Sequence, residues 1–140
     1  MITKGVALIS IIYVVLGILG FVPSDAINPL HHDAVGAHYL LGFLAVNELH
    51  NLIHLAIGLS GLWAARAVTT AQWWGRITGP VLLLLLVVGI AQAIAEGFPK
   101  DQLLLGLVPL NSPIHILHLV TGALALYLGL LQPSPSPRTN

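Results

Sequence analysis

Long apolar runs separated by short polar segments dominate the chain. Four runs, at about residues 5–22, 47–66, 77–96 and 112–131, have roughly the 20 residues that a helix needs to cross a bilayer. Pro23 ends the first run, and Ser112-Pro113 gives the fourth a good helix start. The pattern predicts an all-α integral membrane protein in which a four-transmembrane-helix bundle forms one domain over residues 1–131.

Two of the connecting segments, residues 24–46 and 99–111, are polar at first and then turn apolar. Each is predicted to lie at the outer membrane surface as a short helix or a re-entrant piece. Residues 132–140 are rich in proline and serine, so they are predicted to form a disordered tail.

The two halves of the chain share the pattern L-L-G-x-x-x-x-N-x-x-x-x-x-x-H-L-x-x-G. It begins at Leu40 and again at Leu104, a shift of 64 residues. The pattern predicts two tandem two-helix repeats, at about residues 5–66 and 77–131. Because each unit crosses the membrane twice, both have the same orientation and are related by a parallel pseudo-two-fold axis.

Composition agrees with a lipid environment. Hydrophobic residues make up 56% of the chain and charged residues 7%, whereas about a quarter of the residues in a soluble domain are charged. The net charge is zero and no basic patch is present, which argues against nucleic acid as a partner. The chain contains no cysteine, so thiolate metal ligands and thiol nucleophiles are excluded.

The placement of charges predicts the orientation. Positive residues should lie on the cytoplasmic side, and one side of the four-span arrangement collects Lys4, Arg66, Arg76 and Arg138. Lys100 falls on the other side, beside Asp25, Asp33 and Asp101. Both termini are therefore predicted to be cytoplasmic.

Histidine and asparagine concentrate at one depth of the predicted bundle. On the second helix Asn47, Asn51, His54 and Gly58 form a stripe with His50 beside it, and the fourth helix repeats the stripe with Asn111, His115, His118 and Gly122. Polar side chains at membrane depth usually face the interior of a bundle. We expect the two stripes to face each other near the outer surface, with Glu96 close by.

The run Asn47-x-x-His50-Asn51-x-x-His54-x-x-x-Gly58, followed by a second Asn and His-Leu-x-x-Gly, resembles a bacterial membrane family, domain of unknown function 4383. The resemblance covers nearly the whole chain. It implies four spans and says nothing about activity. The predicted location is a bacterial inner (cytoplasmic) membrane. His115 stands where the first half has Asn51, so the halves are related but not interchangeable.

Two interpretations of the constellation stay open at this point. A hydrogen-bond network of Asn47, Asn51, Asn111, Glu96 and the histidines would join the helices and need no ligand. Alternatively, the four histidines bind a divalent transition metal, because i,i+4 and i,i+3 spacings each place two imidazoles on one helix face. The candidate ligands are His50, His54, His115 and His118.

A haem b or another pigment is a further form of the second interpretation. His54 and His118 would be the axial ligands of an electron-transfer protein, with Gly58 and Gly122 leaving room for the macrocycle. The same glycines also favour close helix contact, which would leave none. Proton or small-solute transport has less support, because the polar stripes end at these two glycines.

The sequence contains no H-E-x-x-H motif and no phosphate-binding glycine loop, so no catalytic residue is predicted. We expect a non-catalytic accessory or structural subunit of a larger membrane complex. Its partners would be lipids, other membrane subunits or a second copy, contacted through glycines predicted to face lipid: Gly17, Gly20, Gly89 and Gly129. The predicted outer loop adds a weaker metal candidate, formed by His31, His32, Asp33 and His38.

Overall fold

The structure is a computed structural model that describes residues 1–22, 27, 37–97 and 102–132. Its described part contains four helices: α1 (Ile2–Leu19), α2 (Glu48–Ala64), α3 (Val68–Glu96) and α4 (Ser112–Leu130). The helices α1, α3 and α4 are long and apolar enough to cross a membrane. Helix α2 has 17 residues. The predicted tail at 133–140 and the loop residues His31, His32 and Asp33 lie outside the described residues.

The helices pack as two antiparallel pairs. Helix α1 packs mainly on α2, and α3 packs mainly on α4, while the two pairs touch each other less. Helix α3 begins at Val68, earlier than the sequence indicates, so that Trp73 and Trp74 lie within it. The pairs meet through an apolar cluster that includes Val6, Leu82 and Ala125.

Glycines allow the helices of each pair to approach closely. A Cβ on Gly17 would lie 2.7 Å from Leu55 of α2, and one on Gly129 would lie 2.7 Å from the backbone nitrogen of Arg76 in α3. Gly20 lies against the Asn51 amide, and Gly89 lies against His115. The prediction that these four glycines face lipid was therefore wrong: their missing side chains make room for a neighbouring helix within the chain.

Within the two segments predicted as short helices or re-entrant pieces, the described residues 38–46 and 102–110 instead form β-hairpins. Strand β1 (His38–Leu40) pairs with β2 (Leu44–Val46), and β3 (Gln102–Leu104) pairs with β4 (Val108–Leu110), both antiparallel. Each turn contains a Leu-Gly dipeptide in which both residues have positive φ, 57° and 81° in the first and 52° and 73° in the second. Two consecutive residues of that conformation reverse the chain tightly, as in type I′ turns.

Each hairpin leads directly into a helix that an asparagine caps. The Asn47 Oδ1 accepts the His50 backbone N–H of α2 at 2.8 Å, and the Asn111 Oδ1 accepts the Ile114 N–H of α4 at 3.2 Å. Each amide also donates across to the other hairpin: Asn47 to the Leu107 carbonyl and Asn111 to the Phe43 carbonyl, both at 2.8 Å. The two hairpins are thus joined at one end of the molecule, which we call the hairpin end.

The opposite end carries the described positive charges, Lys4, Arg66 and Arg76. There Arg76 donates to the Gly129 carbonyl at 2.7 Å, and Gln72 donates to the Leu131 carbonyl at 2.5 Å. These bonds satisfy carbonyls at the end of α4 that have no partner within the helix. The described basic residues therefore lie at the end of the helices opposite the hairpins, as the sequence indicates.

Candidate functional site

Three histidines meet between the two helix pairs, just below the hairpins. His50 and His54 lie one turn apart on α2, and His118 lies on α4. Their side chains are buried, with 2%, 1% and 3% of the surface exposed. The ring centroid of His50 lies 4.3 Å from that of His54 and 6.2 Å from that of His118. One ring nitrogen from each histidine can be chosen so that the three lie within 4.8 Å of one another.

The His50 ring lies beside the two hairpins. Its neighbours there include the backbone of Ala45 in β2 and of Pro109 in β4. The His50 Nδ1 is buried without a hydrogen-bond partner. One side of the ring therefore lies against the hairpin backbone, and one of its nitrogens has no partner among the described residues.

An aromatic contact fixes the His54 ring from the other side. The Tyr13 ring of α1 meets it edge-on, with centroids 5.1 Å apart and planes at 87°. The Tyr13 hydroxyl lies 2.9 Å from the Thr121 Oγ1, which itself donates to the Leu117 carbonyl at 2.6 Å. Since the threonine proton is already used, the tyrosine donates. This Tyr13–Thr121 pair links α1 to α4 beneath the histidines, and the sequence analysis missed it.

The cluster contains more hydrogen-bonding capacity than the chain satisfies. Both nitrogens of His54 are buried without a partner, as are the Nδ1 atoms of His50 and His118. More than about nine in ten buried polar groups in folded proteins have a hydrogen bond. A neutral imidazole offers one donor and one acceptor, so three unsatisfied rings together present several lone pairs to one small volume. Such a volume suits a cation or ordered water.

A cavity of about 50 Å³ opens beside the three histidines. The rest of its lining is aliphatic and comes from α2, α3 and the β3–β4 hairpin, including Ile53, Ile57, Leu82, Leu85 and Val108. One water needs about 10–15 Å³ of such space, so the cavity holds a few waters or one ion with a small ligand. No carboxylate lines it in the part of the chain that the structure describes. Of the described carboxylates, Glu48 and Glu96 are exposed.

The structure separates His115 from the other three histidines. A Cβ on Gly89 of α3 would lie 2.5 Å from the His115 Cε1, so this ring is held against α3. Asn51 occupies the corresponding place on α2, where its amide lies against Gly20 of α1. Glu96 accepts a hydrogen bond from Gln92 at 2.9 Å. The described geometry therefore brings together three of the four predicted ligands.

The two glycines predicted to make room for a haem have other neighbours. A Cβ on Gly58 would lie 2.7 Å from the Ser10 carbonyl of α1, and one on Gly122 would lie 3.1 Å from Leu82 of α3. They allow close contact within each helix pair. Neither therefore provides evidence of space for a macrocycle between His54 and His118.

His38, the described member of the predicted loop cluster, is in β1. Its Nδ1 is also buried without a partner. It is not part of the three-histidine group. The structure therefore gives the loop candidate no described support as a metal site.

The sequence model of the family described as "Domain of unknown function (DUF4383)" matches residues 4–131. No curated protein and no solved structure matches the chain.

Proposed function

The chain belongs to the DUF4383 family, and we propose that it is a membrane protein that binds one transition-metal ion at His50, His54 and His118. The observation that carries the proposal is the group of buried, unpartnered ring nitrogens at the meeting point of the two helix pairs. Imidazole nitrogen is a common ligand of zinc, copper, iron and nickel.

The geometry needs only a small adjustment to coordinate an ion. With metal–nitrogen bonds of about 2.0–2.1 Å, tetrahedral coordination places the nitrogens about 3.3–3.4 Å apart. The three chosen nitrogens are within 4.8 Å without any ion, so they would have to approach one another by at most about 1.5 Å to coordinate one. The hairpin backbone beside His50 offers carbonyls of the kind that orient metal-binding histidines.

The competing interpretations have less support from this geometry. A hydrogen-bond network should satisfy its members, yet His54 has no partner at either nitrogen. A haem b between His54 and His118 would need far more than a cavity of about 50 Å³. The predicted role as an accessory subunit, with lipids, other subunits or a second copy as partners, stays a prediction.

Elemental analysis of the purified chain tests the proposal. After chelator treatment and reloading in detergent, we expect about one metal ion per chain, because three imidazoles converge on one volume. If the chain retains less than about a tenth of an equivalent of each metal tested, the cavity holds water and not an ion. An absorption spectrum of the protein as isolated checks the haem alternative, since a Soret band would overturn the single-ion assignment.

We also propose that α2 is a fourth span, so that both termini lie on the cytoplasmic side of a bacterial inner membrane. Its 17 residues measure about 25 Å, near the lower limit for spanning helices. Lys4, Arg66 and Arg76 lie at one end of the molecule, as the positive-inside rule requires of a cytoplasmic end. Trp63 and Trp73 are exposed near the same end, as in an interfacial aromatic belt.

Single cysteines test this topology, because the natural chain has none. We expect a membrane-impermeant maleimide added to intact cells to label Glu48→Cys, at the hairpin end, and to spare Ala67→Cys. Ala67 lies between α2 and α3, so it should react only after permeabilisation. Labelling of both positions in intact cells would rule out α2 as a span.

The duplication of the chain has support from equivalent features in its two halves. Both have a helix, a Leu-Gly hairpin and a second helix capped by asparagine. We propose two tandem repeats in the same orientation. The site draws two histidines from the first half and one from the second, so it lies off any symmetry axis.

A further inference from the structure

We propose that the bound ion is copper(I), and that it keeps one coordination position open to a small uncharged diatomic molecule arriving from the lipid. This inference rests on the proposed metal-binding function and assigns its metal and its ligand class. It depends on three features of the site: the charge of its lining, the number of its donors and the place where its cavity reaches the surface.

The charge of the lining favours a monovalent ion. Among the described residues, the cavity is lined by three imidazoles and aliphatic side chains and by no carboxylate, and the chain has no cysteine. The free-energy cost of burying an ion rises with the square of its charge, so a divalent ion costs about four times as much in the same surroundings. Neutral ligands leave a zinc or iron ion with its full double charge in this apolar space. Copper(I) carries one charge.

The number of donors favours the same ion. Zinc takes four ligands, and a site with three histidines completes its shell with water. Here the remaining side of the site faces Ile57, Leu82 and Leu85, which cannot accept a hydrogen bond from that water. Copper(I) has a filled d shell and is stable with three nitrogen donors. It binds uncharged π-acceptor molecules at a fourth position and does not require water there.

The cavity lies between the two helix pairs, where the helices are packed less extensively than within each pair. Helix α2 contacts α3 much less than it contacts α1. Ile53, which lines the cavity, is 36% exposed on the surface of the helix bundle. In the proposed membrane orientation that surface faces hydrocarbon, where small uncharged molecules dissolve readily. The volume of about 50 Å³ suits a molecule of about two heavy atoms.

Carbon monoxide is the probe that tests the open position. The full chain, purified in detergent and stripped of metal, is loaded anaerobically with copper(I) under reducing conditions, and in parallel with zinc(II). We expect one equivalent of copper(I) to survive competition with a colorimetric copper(I) chelator, and zinc to be lost to an equally strong zinc chelator. Exposure to carbon monoxide should give one infrared band that shifts with ¹³CO.

Two matched variants locate the bound molecule. Leu85 lines the cavity, whereas the neighbouring Leu84 is 61% exposed on the same helix. We expect Leu85→Phe to keep one equivalent of copper and to lose the carbon monoxide band, because the larger ring fills the cavity. Leu84→Phe should keep both.

The possible outcomes distinguish metal binding itself from the copper assignment and the open position. Retention of zinc in preference to copper(I) would overturn the copper assignment while metal binding stands. Copper without a carbon monoxide band in the natural chain would overturn the open position alone. Failure to bind any metal would overturn the proposed function, and this inference with it.

Discussion

In the His54→Ala variant, we expect bound metal to fall from about one equivalent per chain to less than a tenth. His54 is the central ligand of the proposed site, since its ring packs 4.3 Å from that of His50 and both of its nitrogens are buried without a partner. Removing a residue that only hydrogen-bonds to a metal ligand lowers metal affinity about 10- to 100-fold. Removing a ligand itself should therefore lower the affinity at least 100-fold. Equilibrium dialysis with elemental analysis measures the change.

His115→Ala is the matched control for this experiment. His115 is also buried, with an unpartnered Nδ1, and lies three residues from His118 on the same helix. Because its ring is held against Gly89, its removal should leave one equivalent of metal in place. Equal metal loss in the two variants would point to general disruption of the helices. Full retention in His54→Ala would place the ion elsewhere.

The second large effect concerns stability. Replacing Gly75 with alanine should lower the free energy of unfolding by about 1–3 kcal/mol, the usual cost of overpacking. A Cβ at this position would collide with the Ala125 carbonyl of α4 and lie 3.0 Å from the Gly129 nitrogen. These are backbone atoms, so α3 and α4 would have to separate. Reversible unfolding in detergent, followed by circular dichroism, measures the loss.

Gly5→Ala controls for the change in helix propensity. Alanine is favoured over glycine within helices by about 1 kcal/mol, which opposes the expected effect of Gly75→Ala. At Gly5 a Cβ would meet the end of the Leu128 side chain, 2.7 Å away, which can rotate aside. The Gly5 variant should therefore be neutral or slightly stabilised. If Gly75→Ala were as stable as Gly5→Ala, the close packing of α3 on α4 would be disproved.

The sequence was sufficient to predict the helices because their signals are local. Long apolar runs mark α1, α3 and α4, and the predicted cap of α4 at Ser112 lies one residue after the observed cap, Asn111. The hairpins gave no such signal. Strands of three residues are too short for an alternating pattern, and a leucine in the left-handed conformation, as at Leu41, is uncommon.

The membership of the site depends on helix rotation, which spacing alone does not determine. His115 and His118 are three residues apart and differ by about 60° around the helix axis at 3.6 residues per turn. That difference is enough for His118 to reach the α2 histidines while His115 packs on Gly89 of α3. Similarly, whether Gly17 faces lipid or Leu55 depends on the rotation of α1, which only packing determines.

The crossed asparagine bonds have a consequence for how the protein is made. Asn47 holds the turn of the second hairpin, Asn111 holds the turn of the first, and these contacts span 60 and 68 residues of chain. During synthesis α1 and α2 emerge first, with His50 and His54 in place but without the Pro109 carbonyl and His118. The three-histidine site therefore comes into existence only after the last helix has been inserted. The proposed binding of an ion would then belong to the final stage of maturation, and a chain interrupted before α4 would lack His118.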